Sequence, residues 1–129
     1  MALRTNSGSS GFTILELLVV MAIIGTLLSL AAPHYFRSID KAKQAALREN
    51  LVVLRHTLDH YYADQGVYPS SLQELVSRRY LRSIPQDPVT ASAATWLIVG
   101  PSDKAMGGVA DVRSGAAGKG DDGVPYGEW

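Results

Sequence analysis

The pattern of hydrophobic and polar positions changes character several times along the chain. Residues 12–32 read FTILELLVVMAIIGTLLSLAA, an apolar run holding one charge, Glu16. As a helix rising ~1.5 Å per residue the run spans ~31 Å, about the thickness of a hydrocarbon core, and so predicts a membrane-crossing helix. Residues 35–63 then continue without Gly or Pro, and Leu47, Leu51, Leu54, Leu58 and Tyr61 recur at alternating spacings of four and three. That period puts them on one face, so the segment reads as an amphipathic continuation of the same helix, with Gly25 and Pro33 as its weak points.

Gln65-Gly66-Val67-Tyr68-Pro69 stops the long helix. Ser71-Leu72-Gln73-Glu74 has capping-box spacing and predicts a short second helix ahead of Leu75, Val76 and Leu81. Ile84-Pro85-Gln86-Asp87-Pro88 breaks that helix. Residues 95–99 (TWLIV) then predict a strand, and 109–112 a weaker antiparallel partner across a Gly/Pro/Asp loop. Gly115, Gly118, Gly120, Gly123 and Gly127 crowd the tail, which becomes an ordered loop only if something pins it. The expected class is α+β: a long N-terminal helix against a small antiparallel sheet with a Gly-rich C-terminal loop.

Composition narrows the function. A chain of 129 residues holds one small domain, and its 12 Lys+Arg balance 12 Asp+Glu. No basic surplus draws it to nucleic acid. The absence of Cys excludes a disulfide framework, thiolate metal sites and thiol catalysis. No Gly-x-Ser-x-Gly elbow, P-loop or dinucleotide fingerprint appears, and Asp87 and Asp103 sit in turn contexts with no partner visible in sequence, so an enzyme is not expected.

The apolar run has rival readings. Ser29-Leu30-Ala31 supplies the small residues of a signal-peptide cut, but the run is long for that purpose and Pro33 lies just past the cut. A permanent signal anchor is the second rival. Neither accounts for Glu16. A carboxylate at mid-span costs ~2.5–3.5 kcal/mol on insertion scales, and less near a helix end. Snorkelling beside the positive helix terminus explains why Glu16 is tolerated, without giving it a task.

Gly11-Phe12-Thr13-Ile14-Leu15-Glu16, followed by an apolar helix and Pro33, resembles the class III signal of type IV pilins and type II secretion pseudopilins. The resemblance implies a cytoplasmic leader, 1–11, containing Arg4; cleavage by a prepilin peptidase after Gly11; and N-methylation of Phe12. It implies that Glu16 meets the Phe12 ammonium of a neighbouring copy. Helix transfer from lipid into a dry filament core changes apolar burial little, whereas that charge pair at about 4 Å gives ~4 kcal/mol at an effective dielectric near 20, before desolvation.

The second half is similar to the major pseudopilins of type II secretion: the Tyr68-Pro69 turn, the Ser71-Leu72 helix, the Asp87-Pro88 pair and a Gly/Asp loop ending in Trp129. It departs from them at Val89, where that family commonly has Trp, and in a shortened tail. The lack of a Cys pair separates it from many type IV pilins. The implied organisation is leader 1–11, membrane and filament-core helix 12–33, amphipathic half 34–65 and head 66–129. The implied setting is the bacterial inner membrane, crossed once with the head in the periplasm, where the chain builds a filament that drives protein export. Implied partners are other copies of itself, the prepilin peptidase, minor pseudopilins and secretion platform proteins. A type IV pilus subunit for adhesion, motility or DNA uptake is the alternative, followed by a membrane-anchored binding module.

Two metal readings complete the set. His56 and His60 lie one helical turn apart with Asp64 beyond, a spacing that suits zinc, but Thr57 stands where a metalloprotease places Glu. Both histidines fall opposite the Leu54 and Leu58 stripe. The mixed charges of the amphipathic half, Arg48 and Arg55 among them, read as a solvated face. The resemblance also implies calcium in the C-terminal loop, at Asp121 and Asp122, although Gly115-Ala116-Ala117-Gly118 offers no acid where the related loop has one. The plainer reading is a tight Asp122-Gly123 turn with Tyr126 and Trp129 packed back on the sheet.

Overall fold

A computed structural model of the chain describes Gly8 and residues 10–129. Residues 1–7 and 9, Arg4 among them, lie outside the described residues, so the segment 1–11 expected to be a leader is described only in part. Two compact units are distinguished, Met1–Ser38 and Ile39–Trp129.

Helix α1 runs Ile14–Gln65 without interruption. Neither expected weak point breaks it. Pro33 removes the one backbone bond that would reach the carbonyl of Ser29, and a single missing bond in 52 residues leaves the helix continuous. In the first unit the helix is the only regular element among the described residues, and none of its apolar window is buried within the chain. Its polar side chains are satisfied internally: Thr26 Oγ1 donates to the Ala22 carbonyl at 2.8 Å and Ser29 Oγ to that of Gly25 at 2.6 Å. Such back-bonding lets hydroxyls sit in lipid at little cost.

In the second unit the stripe Leu47, Leu51, Leu54, Leu58 and Tyr61 is buried as its spacing predicts. It packs with Leu72, Leu75, Trp96, Val109, Val112, Ala116 and Tyr126 into a single core. Helix α2, Leu72–Ser77, is capped by Ser71, whose hydroxyl accepts from the Glu74 N–H. The box closes one residue earlier than expected: Glu74 Oε2 accepts from the N–H and hydroxyl of Ser70, both at 2.8 Å, instead of the N–H of Ser71. Glu74 Oε1 accepts from the Tyr61 hydroxyl at 2.8 Å, tying α2 to the end of α1. The Ser70 N–H, the Ser70 hydroxyl and then Tyr61 hold the Glu74 carboxyl down at about 2. The same bond to Glu74, followed by burial, pushes the Tyr61 phenol up.

Strands β1, Trp96–Val99, and β2, Asp111–Ser114, pair antiparallel, with Trp96 opposite Ser114 and Val99 opposite Asp111. The second strand begins two positions later than its hydrophobicity predicts. Val109 is buried, but its N–H bonds the Pro69 carbonyl outside the ladder. Between the strands Gly107 takes φ 109° against the backbone of Tyr68, where any Cβ would overlap the Tyr68 carbonyl.

Candidate functional site

The sequence-predicted assembly residues lie at the start of α1. Gly11 and Phe12 precede the helix in no regular structure, and Phe12 is 91% exposed. A sequence feature overlooked beside the apolar run accounts for the local geometry: Thr13-Ile14-Leu15-Glu16 is itself a capping box. Both of its bonds form. The Thr13 hydroxyl accepts from the Glu16 N–H at 3.2 Å, and Glu16 Oε2 accepts from the Thr13 N–H at 2.9 Å.

That reciprocal cap fixes the Glu16 carboxylate over the positive end of α1, one residue from Phe12. Oε1 makes no hydrogen bond among the described residues. The arrangement therefore offers an oriented anion and an adjacent exposed backbone segment, chemistry suited to meeting a cation. Among the described residues the cap engages one of the two carboxylate oxygens.

The C-terminal loop is ordered from α1. Gln44 clasps Asp121 twice: its Oε1 accepts from the Asp121 N–H at 3.0 Å, and its Nε2 donates to Asp121 Oδ1 at 3.2 Å. Arg48 donates to Asp122 Oδ2 at 2.6 Å and lies over the Trp129 ring, 4.3 Å from its centre. Arg55 donates to Asp111 at 2.7 Å and to the backbone oxygens of Val112 and Trp129 at 3.1 and 2.7 Å. Arg48 and Arg55 stay partly exposed, as the helix pattern implies, and in addition each holds the loop. The tight turn does form: the Gly123 N–H bonds the Gly120 carbonyl, and Asp122 Oδ1 accepts from the Val124 N–H at 3.0 Å. Tyr126 is buried and meets Trp129 edge to face.

The remaining candidates separate. His56 and His60 are exposed neighbours on α1, with ring centres 5.6 Å apart, while the Asp64 carboxylate accepts from the Tyr80 hydroxyl at 2.8 Å. Among the described residues no group of three His, Cys, Asp or Glu converges as metal ligands do. Asp87 does have a partner. It is fully buried, its Oδ2 accepts from the Ser114 hydroxyl, and its Oδ1 accepts from the Val89 N–H at 2.8 Å. Asp103 caps a short 3-10 turn, Lys104–Met106, by accepting from the Ala105 N–H.

Comparison with known proteins points one way. Residues 6–32 match the family described as the prokaryotic N-terminal methylation motif. The type II secretion system core protein G of Klebsiella michiganensis is 33% identical over 131 residues, covering 89% of this chain and 85% of that protein. Its counterpart in Vibrio cholerae is 31% identical over 139 residues, covering 93% and 91%. The Escherichia coli K12 protein of the same name is 31% identical over 102 residues, covering 67% and 70%. No solved structure matches the chain.

Proposed function

This chain belongs to the type II secretion system core protein G family, and from that premise we propose that it is the major subunit of a pseudopilus, assembled through the N-terminal end of α1. It is a structural pseudopilin with an N-terminal methylation motif, not an enzyme. Family membership favours the secretion filament over a type IV pilus. The apolar helix fits an inner-membrane origin, with the head on the periplasmic side.

In this reading 1–11 is a leader removed after Gly11, and Phe12 becomes an N-methylated first residue. The new ammonium and Glu16 then share one helix end. The segment 12–33 supplies the membrane and filament-core helix, while 34–65 carries the amphipathic half and 66–129 completes the head. The single supporting observation is the capping box. It holds Oε2 on the Thr13 N–H and leaves Oε1 to accept from the Phe12 ammonium of another copy. Pairing matters because one apolar helix gains little by exchanging lipid for its own kind, so the charge contact provides both drive and register. Prepilin peptidase, minor pseudopilins and secretion platform proteins are the partners this assignment calls for.

Intact-mass measurement of the chain isolated from cells that carry a prepilin peptidase tests the processing. The expected product starts at Phe12 and bears one methyl group. A chain starting at Met1 or at Ala32 contradicts the assignment.

A further inference from the structure

Resemblance to the major pseudopilins brings with it a calcium ion that orders the C-terminal loop, and calcium needs about 6–8 oxygen ligands, several of them carboxylates. The residues of this loop do not fit it. Asp121 and Asp122 are each engaged by a donor from α1, Asp111 is taken by Arg55, and no third acid joins the two aspartates. The groove beside them is also lined by Lys41 and Arg48, two cations, of which Arg48 pairs with Asp122. The buried side-chain polar atom left without a partner among the described residues is Trp129 Nε1, a donor that no cation can satisfy.

We propose that Gln44, Arg48 and Arg55 of α1 replace the loop-ordering cation in this chain, so that the head folds and keeps its C-terminal loop without calcium. The three side chains stand four and eleven positions apart, which places them along one face of the helix. Each meets a different part of the loop: Gln44 the turn at Asp121, Arg48 the Asp122 carboxylate and the Trp129 ring, Arg55 the end of the chain and β2. A guanidinium brings fixed positive charge in a planar fork, and Arg55 spreads its donors over three acceptors as an ion would gather oxygens. Trp129 packs against Gly120, where a Cβ would overlap the indole ring, so the loop closes on an aromatic plug. The bonds are partly exposed and individually weak; their number across one loop gives the hold.

The test is thermal melting of the full chain in detergent micelles, followed by tryptophan fluorescence, with excess chelator or with added calcium. The expected melting temperatures agree to within about 1 °C. A resident ion at about one hundred times its Kd raises the value by roughly 10–20 °C, and a rise of that size overturns the proposal. Arg48→Gln, Asp122→Asn and the double variant form a cycle. Each single change is expected to lower the melting temperature by roughly 2–5 °C, and the double change by no more than the larger single loss. Additive losses, or no loss from either single change, overturn the Arg48 contact. Melting reads the head alone, so its outcome is separable from success or failure of filament assembly.

Discussion

Asp87 is a fully buried acid whose two side-chain oxygens accept hydrogen bonds from Ser114, Val89 and, more distantly, Thr90. These bonds hold the Asp-Pro turn to β2. Asp87→Ala strands the Ser114 hydroxyl and the Val89 N–H, at about 1–3 kcal/mol for each donor left unmet. Urea unfolding is expected to show a loss of about 2–6 kcal/mol for the two donors together, and an unchanged midpoint contradicts the role. Glu74 gives a pH signature. Its carboxyl sits at about 2 against an ordinary 4.5, so the folded chain binds that proton more weakly than the unfolded one. The stabilisation is whole above pH 4.5 and fades as the pH falls toward 2. Glu74→Gln is expected to flatten the stability profile across that window, and a profile as steep as the native one contradicts the assignment.

At the scale of elements, the α1 stripe was readable because burial on one helix face imposes its period directly on the sequence. Leu54 is wholly buried at its centre, so Leu54→Ala is expected to cost the head about 3–5 kcal/mol in denaturant unfolding; a loss below about 1 kcal/mol refutes its place in the core. The second strand was readable in kind but not in position. Val109 has the hydrophobicity of a strand residue, yet Pro69 claims its N–H and the ladder starts at Asp111. In the Gly-rich tail the tight turn at Asp122-Gly123 was legible, but what pins the tail to α1 was not. Its pins come from residues 74 to 77 positions earlier, and a partly exposed Arg on a helix looks the same in sequence whether or not a distant loop returns to it. Thr13-Ile14-Leu15-Glu16 was legible and passed over, because the adjacent apolar run offers the louder signal.

For the whole molecule, the same carboxylate carries two tasks that must be told apart. Glu16 caps its own helix, which any side chain with an amide or carboxylate oxygen does, whereas the proposed task, meeting a cation of another copy in a filament, requires the negative charge. Glu16→Val removes both and so cannot distinguish them. Glu16→Gln keeps an acceptor for the Thr13 N–H and deletes only the charge. The decisive measurement is filament yield, by shearing and electron microscopy, from cells whose sole copy carries Glu16→Gln. The account predicts a chain that inserts in the membrane and is cut after Gly11, yet yields no filaments; filaments at the native level would contradict it.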